Sequence, residues 1–151
     1  MSVRRRVRRF SRGQRGVAAV ELAIIIPVFL LMLFGVLEFG HTWYIQHALT
    51  NASREGARYG IVYKNFTTPP YTRMPPQAFT PSIQEVVDGY LLQFFAAKFW
   101  EVKILKGGSA TTAGSDLEVE VSADKAWFAL GGLVPGLTTI KLKATTTMKL
   151  E

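Results

Sequence analysis

The sequence contains no cysteine, which excludes a disulfide framework and any chemistry at a thiolate. Histidine is scarce as well, since His41 and His47 are the two histidines among 151 residues. A zinc-type metal site needs more such donors at regular spacing. We therefore predict no metal centre and no cofactor, and cysteine usage gives no indication of the redox compartment.

Acidic residues are missing from the start of the chain, where residues 1–16 contain seven arginines and no aspartate or glutamate. The whole chain has 18 basic and 11 acidic residues, so setting those seven arginines aside leaves 11 of each sign. The net charge of +7 is thus a property of a basic leader and not of the remaining chain. A nucleic-acid-binding domain needs a basic face of its own, so we predict no nucleic-acid partner.

Strongly polar residues are also rare in the next segment, 17–39, which is 23 residues long. Four of its residues are not plainly apolar, namely Glu21, Pro27, Gly35 and Glu38. About 20 apolar residues are enough to cross the hydrocarbon core of a bilayer. Residues 41–52 lack lysine and arginine, so the positive-inside rule keeps the basic leader in the cytoplasm. We predict a single-pass protein of the bacterial inner membrane, with its C-terminal domain in the periplasm or outside the cell.

Two other kinds of targeting segment share some of these features. A cleavable secretory signal has an apolar region of roughly 7 to 15 residues and an A-x-A-like cleavage site, and neither is found here. A mitochondrial presequence is also rich in arginine and poor in acid, but the long apolar run that follows at once makes it the second choice. The membrane anchor is therefore the favoured interpretation.

Glu21 lies one helical turn inside the apolar segment, where an ionised acid costs about 2 to 3 kcal/mol unless it is paired, hydrated or protonated. One explanation is an interfacial glutamate that reaches headgroup water near the N-terminus of the helix. The other is that Gly16, Val17 and Glu21 form an arrangement that resembles a prepilin processing site. Cleavage after Gly16 would leave an amine on Val17, and this cation could neutralise Glu21 of a neighbouring subunit.

The longer string RGVAAVELAIIIPVFLLMLFGVLEFGHTWYIQHALTNASREGARYG, residues 15–60, resembles the TadE-like family. These are membrane proteins of the tight-adherence (Tad) pilus machinery and of related secretion loci. The elements that carry the resemblance are Arg15-Gly16, Glu21, Pro27, Glu38 with Gly40, and the block ASREGAR at 52–58. The resemblance implies a minor pseudopilin-like subunit, processed by a membrane aspartyl prepilin peptidase, whose partners are other pilin-like or TadE-like subunits and the pilus assembly machinery.

The resemblance also implies that several residues act in assembly. These are Glu21, Pro27, Glu38, Arg54, Glu55, Gly56 and Arg58. Processed pseudopilins of this system typically have an aromatic residue after the glutamate, whereas Leu22 stands here, so a cleaved subunit and an uncut signal anchor both remain open.

Alternatives also remain for the individual assembly residues. Pro27 removes a backbone donor and is expected to kink or loosen the helix, or to serve packing alone. For Glu38 the favoured interpretation is an acid in interfacial water. The block that contains Glu55 and Arg58 is either a solvated helix face, with those two side chains paired across one turn, or a docking surface where Gly56 and Gly60 allow close approach.

The remaining chain is predicted to form a small α+β domain. The helical period extends the membrane helix through 40–63, and five prolines in 64–81 indicate a loop. Residues 82–151 are the extracytoplasmic head domain. Its helix is expected to be capped by Thr80, to begin at Pro81 and to run to Phe95.

Alternating apolar and polar residues predict three strands of an antiparallel sheet, at 100–105, 117–122 and 138–150. Residues 106–114 are rich in glycine, serine and threonine and should close a hairpin between the first two strands. Glu118 and Glu120 should share one face of the second strand, and Lys141 and Lys143 should share one face of the third. Antiparallel pairing should then place these opposite charges against each other. Trp127 and Phe128 are expected to cover the core.

Three classes of function were weighed on these grounds. The favoured one is a structural subunit or membrane-anchored assembly factor of a Tad-type pilus or related secretion system. An enzyme is not expected, because no acid, base and nucleophile converge in the sequence pattern, so no catalytic residue is proposed. The alternative is a membrane-tethered extracytoplasmic binding module unrelated to pilus assembly, for example one that binds a cell-wall component. Glu21 discriminates between them, because only an assembly subunit should need it.

Overall fold

The computed structural model describes residues 12–68, 72–128, 130–133, 136 and 138–151. Most of the predicted leader, and the prolines at 69, 70 and 135, therefore lie outside the described residues. The chain divides into two compact units, Met1–Leu37 and Glu38–Glu151. The long helix α1, Arg12–Ile61, contributes residues to both units.

In the first unit, α1 carries apolar side chains on every side. All side chains from residue 16 to residue 33 are exposed. A helix that is apolar all round needs an apolar environment, which is either a protein core or a lipid bilayer. Among the described residues, α1 is the one helix long and apolar enough to cross a membrane. This indicates a single-pass membrane protein.

The second unit is an α+β domain, as predicted. Its antiparallel sheet has the order β1-β2-β3, formed by Trp100–Lys106, Asp116–Ala126 and Thr139–Lys149. The predicted hairpin joins β1 to β2, so β2 is the central strand. Two further α-helices are α2 (Ile83–Leu91) and the single turn α3 (Leu130–Leu133), and a short 3-10 helix spans Pro76–Ala78.

The core of this unit forms between the sheet and one face of α1. Alternate residues of β2 are buried, because a strand presents every second side chain to the same face. They pack with small and apolar residues of α1 and with α2 in one cluster. Its fully buried members, with no exposed surface, are Leu49, Ala52, Ala57, Val87, Leu91, Leu117, Val119 and Val121. The C-terminal part of α1 is thus a core helix of the head domain, and it ends at Ile61, two residues before the predicted end.

Two glycines of α1 allow this close packing. A β-carbon at Gly56 would stand 2.6 Å from Cγ2 of Val87, and one at Gly60 would stand 2.5 Å from Cδ2 of Leu117. Carbon atoms in ordinary van der Waals contact are about 3.5 to 4.0 Å apart. Neither position can carry a side chain unless its neighbours move.

The cap of α2 differs from the prediction. Ser82, and not Thr80, is the N-cap, and the helix begins at Ile83. The Ser82 hydroxyl accepts a hydrogen bond from the Glu85 amide at 3.1 Å, while the Glu85 carboxylate accepts one from the Ser82 amide at 2.7 Å. This capping box requires a glutamate or glutamine three residues after the cap. Thr80 lacks one, because Ile83 stands at that place.

The end of α2 was also predicted too late. The helix ends at Leu91, and Phe95 lies just beyond the turn 92–94 that follows it. There its ring packs 5.7 Å from Tyr44 and 6.0 Å from Trp100, measured between ring centroids. The periodic apolar residue at this place therefore reflects contact with α1 and β1, and not a further helical turn.

The predicted charge pairing between β2 and β3 is wrong in detail. Lys141 stands opposite Asp124, and Glu118 is paired with Lys106 of β1 at 3.1 Å. Lys143 reaches Glu120 diagonally, at 3.7 Å. The register follows the buried alternation of β2, and the exposed charges adapt to it.

The two aromatic residues after β2 were expected to cover the core. Trp127 is partly buried, but Phe128 is 87% exposed, so the expectation is wrong for Phe128. The Phe128 ring is the most exposed large apolar side chain among the described residues.

Gly56→Ala should destabilise the head domain, because the added methyl group collides with the fully buried Val87. Overpacking costs about 1 to 3 kcal/mol, against a gain of roughly 1 kcal/mol in helix propensity. Gly89→Ala in α2 is the matched control, since nothing lies within 4 Å of its β-carbon position, and it should be neutral or stabilising. Denaturant unfolding of the full chain in detergent measures both variants. Equal stabilities would contradict the proposed packing.

Candidate functional site

In the second unit, α1 presents one continuous exposed stripe. We call it the outer stripe, and its members recur at spacings of three and four: Phe39, Trp43, His47, Asn51, Arg54 and Arg58. The Trp43 ring lies 5.8 Å from that of Phe39 and 5.5 Å from that of His47, so the apolar end of the stripe is an ordered stack. A shallow groove of about 280 Å³ follows the stripe between Trp43 and Arg54. The opposite face of the helix is buried in the core.

A buried ion pair lies at the start of this unit. Oε1 of Glu38 is 2.6 Å from Nζ of Lys125, the penultimate residue of β2. The two side chains are 2% and 3% exposed. The same carboxylate oxygen accepts a hydrogen bond from the backbone amide of Phe128 at 2.7 Å. The expectation that Glu38 lies in interfacial water is therefore wrong, because the folded head encloses it.

The Lys125 ammonium has further contacts. It lies 5.0 Å from the centroid of the Trp127 ring and 3.5 Å from the carbonyl oxygen of Ala126. A buried charge is tolerated when an opposite charge and additional hydrogen bonds compensate for the lost hydration. The site supplies both for Glu38 and Lys125, and it joins the N-terminal end of this unit's helix to the end of its central strand.

Lys125 was not identified from the sequence, although a signal was present. The buried positions of β2 alternate through Leu117, Val119, Val121 and Ala123, and Lys125 falls in the same phase. A lysine in phase with a buried strand face needs an acidic partner. The sequence gives no indication that Glu38 is that partner, because the two residues are 87 positions apart.

The residues of the predicted processing site lie in the first unit. Gly16, Val17 and Glu21 are all exposed and belong to α1. Within the described part of the chain, Glu21 has no hydrogen-bond or ion-pair partner. Pro27 is exposed too, and α1 continues on both sides of it. The fold of one chain therefore leaves these side chains available to lipid or to other helices.

The charged residues of the 52–58 block differ in their contacts. Glu55 and Arg58 are paired as predicted, with Nη2 at 2.8 Å from Oε1 and Nε at 3.1 Å from Oε2. The hydrogen bond from Arg58 holds the pKa of the Glu55 carboxyl below its ordinary value. Arg54 is exposed and has no ion-pair partner among the residues described.

Gly56 was expected to allow another subunit to approach, and the structure uses it differently. Its backbone is buried against α2 and β2 of the same chain. The close approach at Gly56 is therefore between elements of the same chain. The outward surface of the 52–58 block consists of Arg54 and Arg58, with Glu55 partly exposed beside them.

Among the residues that the structure describes, no three histidine or acidic side chains gather into a cluster that could hold a metal ion. The ionisable groups that do come together are ion pairs, and most of these lie on the surface. What the arrangement offers is a helix with one face buried and one face exposed in the second unit, together with an acid in its apolar part, Glu21, that has no partner among the described residues.

Comparison with known proteins gives one family. The family model described as TadE-like protein matches residues 16–58. The matched segment lies wholly within α1 and confirms the resemblance drawn from the sequence. No curated protein and no solved structure matches the chain significantly.

Lys125→Met should destabilise the head by about 3 to 5 kcal/mol, because it leaves the Glu38 carboxylate buried without its counter-charge. Glu38→Leu combined with Lys125→Met should recover most of that loss, since no buried charge then remains. Denaturant unfolding of the full chain in detergent, arranged as a double-mutant cycle, measures the coupling.

Lys103→Met is the matched control for that cycle. Lys103 pairs with Glu101 on the surface of β1, where both side chains are about half exposed. Its replacement should change the free energy of unfolding by less than about 0.5 kcal/mol. Additive effects of the Glu38 and Lys125 variants would show that the two charges do not interact.

Proposed function

We propose that this chain is a minor pseudopilin-like subunit, or a membrane-anchored assembly factor, of a Tad-type pilus or a related secretion system. It would sit in the bacterial inner membrane with the leader in the cytoplasm and the head domain outside. Its role would be structural and not enzymatic.

One observation carries this proposal: the TadE-like match covers α1 and ends at Arg58, before the rest of the head begins. Over that segment the helix exposes Glu21 and the outer stripe, and neither Glu21 nor Arg54 has an ion-pair partner among the described residues. A helix that is needed only as an anchor requires apolar side chains but no unpaired acid. The shared helix therefore has the features of a surface that packs against other subunits.

Glu21 would be neutralised by a cation from outside its own fold. If a prepilin peptidase cuts between Gly16 and Val17, the new amine of Val17 stands four residues before Glu21. Within one helix the Val17 amine and the Glu21 carboxylate are about one turn apart. The same spacing lets the amine of one subunit reach Glu21 of an adjacent subunit that is shifted along its helix axis. An ion pair of this kind inside the bilayer would offset the cost of the buried acid.

The outer stripe would bind a second component of the machinery. Its apolar end is the stack of Phe39, Trp43 and His47, and its polar end carries the cations Arg54 and Arg58. Arg58 is already paired with Glu55, which leaves Arg54 as the charge available to an acidic partner. Aromatic and arginine side chains are the types enriched at protein interfaces.

Glu21→Ala should abolish pilus assembly, because the variant lacks the acid that the neighbouring amine would neutralise. Intact-mass measurement and N-terminal sequencing of the protein from membranes of its own host report the processing. A mature chain that starts at Val17 supports the pseudopilin mechanism. An uncut chain would overturn that mechanism and leave the signal-anchored assembly factor.

The control for this experiment is Glu101→Ala on the exposed surface of β1. It removes an acid outside the matched segment and should leave assembly and processing unchanged. If Glu21→Ala also assembles normally, the alternative of a membrane-tethered binding module is favoured, since that function needs any anchor and not this acid.

Arg54→Glu should weaken recovery of partner subunits with the tagged protein from solubilised membranes, because it reverses the unpaired charge of the outer stripe. Lys103→Glu on β1 is a control with the same change of charge at a site outside the stripe. Both positions are on the surface, so the head should stay folded. Equal recovery of partners with both variants would contradict a docking role for the stripe.

A further inference from the structure

We infer that Phe128 is a second membrane contact of this protein, and that its ring enters the lipid interface at the depth where the apolar segment of α1 ends. The chemistry recognised is that of a lipid surface. This inference rests on the proposed membrane-spanning role of α1 and adds one side chain of the second unit that contacts lipid.

The exposure of Phe128 is the first argument. Its side chain is 87% exposed although the residues just before it are built into the sheet and the buried ion pair. Burying a phenylalanine side chain gains about 1.5 to 3 kcal/mol, and the fold of this domain does not use that gain. An exposed ring held on an ordered backbone is suited to a contact outside the chain.

The second argument is where that backbone is held. The Phe128 amide donates a hydrogen bond to the carboxylate of Glu38 at 2.7 Å. Glu38 is the penultimate residue of the apolar segment 17–39, so it marks the depth at which α1 leaves the hydrocarbon core. A residue hydrogen-bonded to Glu38 must lie at nearly the same depth. Phe128 is therefore at the boundary of the membrane by direct contact.

The third argument is the composition at this boundary. No charged residue occurs from Ala126 to Ile140, a run of 15 positions in a domain whose strands otherwise alternate with charges. On α1, the first two turns after Glu38 expose Phe39, Trp43 and Tyr44. Aromatic side chains are enriched at the level of the lipid headgroups. The Phe128 ring adds to this set from the head.

A bound protein is the competing occupant of the same surface. Lipid is favoured because the Phe128 amide is hydrogen-bonded to Glu38, next to the end of the apolar segment 17–39. An interface with a protein would also be expected to have polar groups close to its apolar centre, and the uncharged run provides few.

Site-specific labelling tests this directly, since the chain contains no cysteine that would compete for a thiol reagent. Phe128→Cys is labelled with an environment-sensitive fluorophore and the full chain is reconstituted in phosphatidylethanolamine–phosphatidylglycerol vesicles. Two quenchers are compared, a nitroxide near the top of the lipid acyl chains and aqueous iodide. Leu105→Cys is the control in the head, because Leu105 is 48% exposed and lies at the other end of the sheet.

The expected result is a blue shift and a loss of emission with the nitroxide lipid for the label at position 128, and quenching by iodide alone at position 105. Iodide quenching at both positions would overturn the inference. Emission at position 128 that neither agent quenches would also overturn it, since a protein then covers the ring.

A third label separates this inference from the proposed function. Ile25→Cys lies in the middle of the apolar segment and should be quenched by a nitroxide deep in the bilayer. If the label at 25 is in lipid and that at 128 is not, the span stands and the second contact is wrong. If neither label is in lipid, the membrane-spanning assignment itself fails. Unchanged far-UV circular dichroism establishes that the labelled chains are folded.

Discussion

From Glu38 to Ile61, one face of α1 packs against the central strand of the sheet, and the other elements of the head domain are placed by that contact. Helix and strand come close because Gly56 and Gly60 have no side chain at the points of contact. Val87 and Ile83 of α2 fill the same space, so that helix is fixed by the contact as well. A single hydrophobic cluster results, which includes residues of α1, α2 and all three strands.

The same contact determines which charges of α1 are satisfied. An ionised acid on a buried face is stabilised when the strand opposite brings a cation, and Lys125 does so at 2.6 Å from Glu38. Glu21 belongs to the segment that no part of the described chain covers, and it is left without such a partner. Two glutamates in one apolar run thus have different environments: one is paired within the fold, and the other has no partner among the described residues.

Features with a local physical origin could be read from the sequence. The apolar segment, the three strands, the hairpin and the pair between Glu55 and Arg58 depend on composition or short-range periodicity, and the structure contains them. The cap at Ser82 was also local, and the glutamate at position 85 would have identified it. Glu38 was misjudged for a different reason: its environment is formed by a residue 87 positions away, and pattern along the chain carries no information on that pairing.

The sequence also failed to predict side-chain exposure in irregular segments. The aromatic character of Phe128 favours a core position, whereas the structure leaves the ring 87% exposed and holds its amide at the Glu38 carboxylate. Gly56 was recognised as a point of close approach, but sequence could not say whether the neighbour belongs to the same chain. In both cases the missing information concerned contacts between residues that are far apart in the sequence.

The ion pair between Glu38 and Lys125 crosses the limit of the family match, because one residue lies within 16–58 and the other lies beyond it. This helix is therefore not a free module to which any head could be attached. A head taken from another protein would need a cation at the end of the corresponding strand, or position 38 would have to change with it.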